Sequence, residues 1–371
     1  MPHCDKQMVS LFLTTKCNLN CAYCYNAEER VSLKEATLPF EIAKAGIDYF
    51  FSSNPSRHVR FYGPGEPTQA LDLMDKITRY AKTKSTEVTI EVQTNGVFNS
   101  KAQEWLLDNA NIVWISFDGP PDIQDINRPI GKLPSSPVIE KNVFSLNKYK
   151  SNKDLMVGAR VTMTNDNIFR QKEMVDYFSQ LGITQIWTDP IFHTVDHIPS
   201  CNDPKKLASY SFDMDAYVDN YIESYYYAQK QNVFYGSFLT CNFDGVTDKH
   251  CRACTPNPHF TPDGYISACD LVTFGSNAHH MSCFVYGKWN PTTKTFDIFE
   301  DRLHTLQQRT LAKMNHCINC IAREHCGGYC LGEVVNETGS LFGQKPAVCA
   351  AIRKLFWALG TEERPYRYMH P

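Results

Sequence analysis

No apolar run in the sequence approaches 18 residues, and the opening MPHCDKQMVSLFLTTKC has too short an apolar stretch and the wrong flanks for a secretory signal. Both absences speak against a membrane-spanning helix or an exported chain, and the expectation is a soluble cytoplasmic protein with no membrane partner. Charge of one sign is missing too: 37 basic against 40 acidic side chains leave a formal net charge of -3. Such a balance carries no electrostatic footprint for DNA or RNA, so nucleic acid is not the expected partner. Low-complexity tracts and repeats at solenoid periods are absent as well. What the chain has in excess is cysteine, 15 in 371 residues, on a background that is 43% hydrophobic. At roughly 150 residues per domain, that is enough for more than one core.

The cysteines are unevenly spread. Three fall within residues 17 to 24 and nine from Cys251 to Cys349. An odd total in a chain without a secretion signal argues against a disulfide framework, because cytosolic thiols stay reduced and clustered ones more often bind metal.

Between residue 7 and about 192, short β-branched or aromatic runs alternate with amphipathic stretches, the pattern of βα units around a parallel sheet. Six strands are expected, at residues 8–15, 58–63, 88–94, 112–118, 155–164 and 185–192. Helices fill the gaps, one of them opening at Pro39, which suits a first helical turn. Past residue 200 the alternation stops, and residues 213–231 read as one long helix whose Tyr225, Tyr226 and Tyr227 are packing residues, since three successive helical positions cannot share a face.

Directly after the first strand, TTKCNLNCAYCYN sets Cys17, Cys21 and Cys24 in a CxxxCxxC arrangement on one loop. Three thiolates leave a cage one ligand short. A structural zinc ion would need a fourth, from Cys4 or a distant His, whereas a cubane held by three cysteines keeps one iron open for a small molecule.

The motif, with the aromatic Tyr23 just before its last cysteine, resembles that of the radical S-adenosylmethionine (SAM) enzymes. The next three strands end in GPGEP (63–67), QTNG (93–96) and SFDGP (116–120), where βα barrels build their active sites. By this resemblance Gly63 and Gly65 let backbone approach the cofactor, and Glu66 sets a carboxylate near its ammonium group. Gln93, Thr94 and Asn95 face its ribose, and Ser116 faces its carboxylate. Pro64 departs from the family's GGEP and removes one backbone donor. Asp118 and Arg128 are read either as a cap and salt bridge or as part of the site.

The C-terminal part carries Cys251, Cys254, Gly264 and Cys269, then Cys317, Cys320, Cys326 and Cys330, then Cys349. With Cys283 set aside, these eight cysteines divide into two sets of four. Their spacing resembles the SPASM domain of radical SAM enzymes that modify peptides and proteins. The resemblance implies one auxiliary 4Fe–4S cluster on Cys251, Cys254, Cys269 and Cys330, and a second on Cys317, Cys320, Cys326 and Cys349. Tetrahedral zinc remains the alternative from spacing alone. Four cysteines per auxiliary cluster leave no open iron, which favours electron transfer over substrate ligation. Asp270, next to Cys269, is a candidate catalytic base by similarity to the anaerobic sulfatase-maturing enzymes, against a helix cap or loop hydrogen bond. Asn26 departs from those enzymes, which tend to carry an aromatic there. Cys4, Cys201, Cys241 and Cys283 are spare thiols, although Cys283 lies near His279 and His280.

The expected architecture is therefore α/β: a partial (β/α)6 TIM-like barrel over residues 1–200, a helical bridge over 201–250 and a SPASM auxiliary-cluster domain over 251–371. The expected cofactors are SAM and three 4Fe–4S clusters. The expected activity is hydrogen abstraction from a peptide or protein side chain by a 5′-deoxyadenosyl radical. Ribosomal-peptide maturation ranks ahead of formylglycine formation, and a non-enzymatic iron–sulfur or zinc scaffold is the rival. Only 16 residues precede Cys17, leaving no room there for a leader-recognition domain, so a maturase would bind its precursor at the barrel mouth or through a separate leader-peptide-binding partner. An electron donor such as flavodoxin or ferredoxin is also expected.

Overall fold

A computed structural model describes residues 6–27, 35–150, 155–191 and 212–360. The six expected strands are β1 (Val9–Phe12), β2 (His58–Tyr62), β3 (Thr89–Thr94), β4 (Ile112–Ser116), β5 (Met156–Met163) and β6 (Gln185–Pro190), paired in sequence order and all parallel. Helices α1 (Phe40–Ser53), α2 (Leu71–Lys84), α3 (Ser100–Asn109), α4 (Pro121–Asn127), α5 (Ser136–Tyr149) and α6 (Gln171–Gln180) lie in the connections. Pro39 stands one residue before α1, at its cap. Parallel strands covered by helices are buried on both faces, which is why β1 reads VSLF with all four residues buried.

The period of two divides each strand between two environments. Val59, Phe61, Ile90, Val92, Val113 and Ile115 join the main hydrophobic core with the helices. The alternate residues form a second, mixed interior. Ile112, Trp114, Trp187 and Phe234 make a small apolar cluster there, while Arg60, Glu91 and Gln93 are buried polar groups.

Two features were not legible beforehand. A seventh parallel strand, β7 (Phe234–Gly236), follows the long helix α7 (Met214–Lys230) and pairs with β6. Three residues are too few for a periodicity to register. On the other edge, β8 (His259–Phe260) pairs parallel with β1, and β9 (Tyr265–Ser267), β10 (Val285–Asn290) and β11 (Thr295–Ile298) continue antiparallel, giving one 11-stranded sheet among the described residues. The sheet thus runs unbroken past residue 250, where the sequence divides bridge from cysteine-rich part. Gly46 of α1 makes room for that junction, because a Cβ there would stand 2.7 Å from the Phe260 ring.

Tyr225 of α7 is buried, Tyr226 donates to Ala358 O at 2.8 Å and Tyr227 to Asp176 Oδ1 at 2.8 Å, so the tyrosine run packs the helix in place. Among the described residues no helix is long and apolar enough to cross a membrane.

Candidate functional site

The C-terminal ends of the strands open on a cavity of about 250 Å³. Its wall includes Cys17, Cys21 and Cys24, all the expected cofactor-binding positions, and Cys251, Cys269, Asp270 and Cys330. Residues more than 300 positions apart in sequence therefore share one chamber.

Most of the strand-end side chains are bonded to one another. Glu66 is buried, and its Oε1 accepts from Thr68 N (3.0 Å), Thr68 Oγ1 (2.8 Å) and Thr94 Oγ1 (2.7 Å), while Oε2 accepts the Asn95 N–H at 2.7 Å. Burial raises its pKa, opposed by these donors. Asn95 in turn donates to Asn18 Oδ1 at 2.8 Å and to the Cys17 sulfur at 3.8 Å. The turns after β2 and β3 thus brace the cysteine loop.

Gly65 also has a reason within the chain itself. A Cβ there would meet Lys16 O at 2.3 Å and Thr14 O at 2.6 Å. The backbone it must approach is the chain leading into Cys17, which it joins through Gly65 N to Thr14 O (2.9 Å) and Glu66 N to Lys16 O (2.7 Å). Gly63 is under a milder constraint, since a Cβ there would stand 3.3 Å from Leu13 N.

Tyr23 hydrogen-bonds to Asp118 through its hydroxyl and accepts from Arg128 Nη1 at 2.9 Å. Arg128 stands 4.0 Å from the buried Asp118, so this trio is a buried ion pair that pins the cysteine loop. Burial pushes the Cys21 thiol up to about 11, with Arg128 opposing. Binding a metal there would release the proton.

The sequence did not single out Arg160. It sits opposite Ser116 in the β4–β5 register, donates to Gln93 Oε1 at 2.6 Å and stands 3.6 Å from Asp189. Ser116 and Arg160 both line the cavity, and the Gln93 side chain, expected to reach a ribose, is occupied by Arg160 and Glu91. No local motif marks a lone arginine inside a strand; only the register does.

Asp270 is gripped by the fully buried Arg60, whose Nη1 donates to Oδ2 at 3.1 Å and whose Nη2 donates to Oδ1. His259 Nδ1 lies 3.2 Å from Oδ1. Burial would raise this carboxyl, but Arg60, His259 and Arg252 outweigh it and hold Asp270 well below the usual carboxylate range. It is therefore an ionised acceptor of weak basicity. Asn26 accepts from Thr273 Oγ1 at 2.8 Å, tying the first cysteine loop to the segment after Asp270.

Cys251, Cys269 and Cys330 line the large cavity, with Cys254 buried one turn on from Cys251, its N–H donating to Cys251 O at 3.0 Å. Cys317, Cys320, Cys326 and Cys349 line a second, smaller cavity. Gly332 leaves an open cradle beside the first group, since a Cβ there would stand 2.9 Å from Cys269 Sγ. The cavity of the second group measures about 40 Å³. Among the described residues no three His, Cys, Asp or Glu side chains close around a point as for a single metal ion. Thiols spread around the walls of a cavity fit a polynuclear cluster. Of the spare thiols, Cys241 is buried 3.8 Å from His250 Nε2 and Cys283 is half-buried. Near Cys283, His280 is engaged with Asn336 at 2.9 Å. Cys4 and Cys201 lie outside the described residues.

Residues 11–171 match the family model described as the radical SAM superfamily. An uncharacterized protein of Methanocaldococcus jannaschii is 32% identical over 184 residues, 48% of this chain and 60% of that protein, so the match spans well under two thirds of the relative's length. The radical SAM cyclopropyl synthase TigE of Paramaledivibacter caminithermalis is 21% identical, over 97% of this chain and 75% of TigE. The fold is shared with native anSMEcpe with bound AdoMet, at a TM-score of 0.74 and 17% identity, covering 95% of this chain and 96% of that one. It is also shared with Streptococcus suis SuiB bound to precursor peptide SuiA, at 0.65 and 16% identity, covering 92% and 75%.

Proposed function

We propose, because residues 11–171 of this chain match the radical SAM family model in a fold shared with SuiB and anSMEcpe, that it is a radical SAM enzyme that modifies a peptide or protein, most specifically a ribosomal-peptide maturase. When bound, a 4Fe–4S cluster on Cys17, Cys21 and Cys24 and its SAM supply a 5′-deoxyadenosyl radical. This chain's residues hold and orient the reactants. Tyr23, Gly63, Gly65, Glu66, Gln93, Thr94, Asn95 and Ser116 form the SAM wall, joined by Arg160, whose guanidinium beside Ser116 suits a carboxylate. Cys251, Cys254, Cys269 and Cys330 would hold one auxiliary cluster, and Cys317, Cys320, Cys326 and Cys349 the other.

The observation that carries this reading is one cavity lined by both the three-cysteine loop and Cys269–Asp270. A substrate side chain entering there would meet the radical source and an ionised carboxylate in the same chamber. Asp270, positioned by Arg60, would accept a hydrogen bond from the substrate, and taking its proton would require Arg60 to release one carboxylate oxygen. The peptide relationship rests on SuiB with its precursor peptide and on TigE. A precursor would be presented at the cavity mouth or by a separate leader-binding partner, and reduction would come from a flavodoxin or ferredoxin in a cytoplasm that keeps the thiols reduced.

Formylglycine formation is the second reading, favoured by Asp270 beside Cys269 on the cavity wall. One experiment addresses both: 5′-deoxyadenosine release by anaerobically reconstituted, dithionite-reduced protein with SAM, beside a Cys17→Ala/Cys21→Ala/Cys24→Ala control. Release that vanishes in the control is expected, with deuterium transfer to deoxyadenosine from a labelled precursor peptide encoded next to the gene. Transfer only from a sulfatase-type Cys or Ser peptide would favour formylglycine. Zinc in place of iron and no deoxyadenosine would leave a metal-stapled scaffold.

A further inference from the structure

Arg309 is fully buried. Its guanidinium donates to three carbonyl oxygens, Nε to Leu341 (3.3 Å), Nη1 to Gly327 (2.7 Å) and Nη2 to Gly328 (2.5 Å). Among the described residues no carboxylate forms an ion pair with it. A buried guanidinium without an anionic partner is costly, and carbonyl dipoles neutralise none of its charge.

Its position explains where the missing anion belongs. Gly327 and Gly328 lie in CGGYC, whose first cysteine, Cys326, belongs to the second thiol group and whose last, Cys330, belongs to the first. Both glycines have positive φ, +62° and +88°, which turns their carbonyls toward Arg309. A Cβ on Gly328 would stand 2.8 Å from Arg309 Nη1, so only glycine leaves the guanidinium its place. A Cβ on Gly327 would stand 2.3 Å from the Lys249 carbonyl carbon, so the chain entering Cys251 lies directly on this turn. His250 ties the same junction from the other side, through Nδ1 and Cys326 O at 2.6 Å. Gly328, whose carbonyl Arg309 holds, lines the same small cavity as Cys317 and Cys326, while two residues on in the chain Cys330 lines the large one.

We propose that Arg309 is the shared countercharge of two anionic iron–sulfur clusters, a positioning residue that sets their reduction potentials. The inference rests on the auxiliary-cluster reading above. Each cluster with four thiolates is an anion that becomes more negative on reduction. A fixed cation between them stabilises the reduced forms and so raises both potentials, while the CGGYC turn holds it in place.

The test is an EPR-monitored redox titration of the holoprotein, with iron counts, for wild type, Arg309→Gln and Arg309→Lys. Wild type should bind about 12 irons, three cubanes; about four would overturn the auxiliary-cluster reading itself, independently of Arg309. Arg309→Gln should shift the reduced-to-oxidised balance of the auxiliary clusters at least tenfold toward oxidised, about 59 mV downward for one electron. Arg309→Lys, which keeps the charge but not the fork, should recover most of that shift. Should Arg309→Gln lose auxiliary iron while Arg309→Lys keeps it, the charge is needed to hold the clusters, which also supports the proposal. Equal iron loss in both variants, equal shifts in both, or unchanged potentials would overturn it and leave Arg309 a latch on three carbonyls.

Discussion

The carboxylate of Glu66 accepts the backbone N–H of Asn95 at 2.7 Å, which locks the turn after β2 to the turn after β3. With Thr68 and Thr94 on the other oxygen, four donors occupy a group that has about four acceptor sites. Glu66→Gln turns an amide donor toward one of them. The expected cost is about 2 kcal/mol, with SAM affinity weakened more than tenfold. Melting curves and equilibrium SAM binding of the holoprotein check this; unchanged SAM affinity would show that the brace does not shape the site.

Gly65→Ala drives a methyl group into Lys16 O and Thr14 O. The displaced chain is the one that presents Cys17. The variant should therefore lose about four irons and keep the auxiliary ones. Gly131 also has a positive φ, but a Cβ there meets nothing within 4 Å, so Gly131→Ala should cost only about 1 kcal/mol and no iron. An iron count on both variants, with EPR to identify the missing signal, separates the two outcomes.

Arg128 and Asp118 form a buried pair through Tyr23. Removing one partner strands the other. Arg128→Met should destabilise the protein by about 3–5 kcal/mol, whereas Tyr23→Phe, which keeps both charges, should cost about 1–2 kcal/mol. Denaturant unfolding of the two variants under anaerobic conditions gives the comparison, and equal costs would show that the stranded Asp118 charge is not what destabilises Arg128→Met.

His58 and Glu91 contribute to the acid side of the stability profile, alongside the buried His250 and His259, each lowered to about 3 by burial. Burial lowers the His58 pKa despite the opposing carboxylate, and Glu91 is held well below its ordinary value because Lys6, His58 and Arg60 outweigh its burial. Both groups bind protons more readily in the unfolded chain. Stability should therefore fall as pH drops below about 6.5, where His58 protonates only on unfolding, and fall further below about 4.5 through Glu91. His58→Gln should flatten the first part of that decline in melts taken from pH 7 to pH 5. An unchanged slope would place the acid sensitivity elsewhere.

The six long strands were legible because each pairs β-branched periodicity with a turn-forming end, and the motif residues sit at those ends. β7 and β8 were not, being three and two residues long. Of the site, the cysteines could be picked out from their spacing and the strand-end residues through the family resemblance, yet their hydrogen bonds could not. Glu66 spends its oxygens on its neighbours, and Gly65 is glycine because of the cysteine loop. Arg60, Arg160, His259 and Arg309 escaped notice because a single charged residue in a strand or loop has no local signature.

The sequence by itself determined the alternating βα pattern, the three-cysteine loop and the clustering of cysteines after residue 250, because these depend on periodicity and spacing along the chain. The tertiary structure alone decided what lies between those parts. It extended the barrel sheet through β8 into the cysteine-rich part and closed Asp270 in the grip of Arg60. It also buried Arg309 on the turn that serves both thiol groups. Each of these arises from contacts between residues tens to hundreds of positions apart, where burial and charge act through space and leave no periodic trace in the chain.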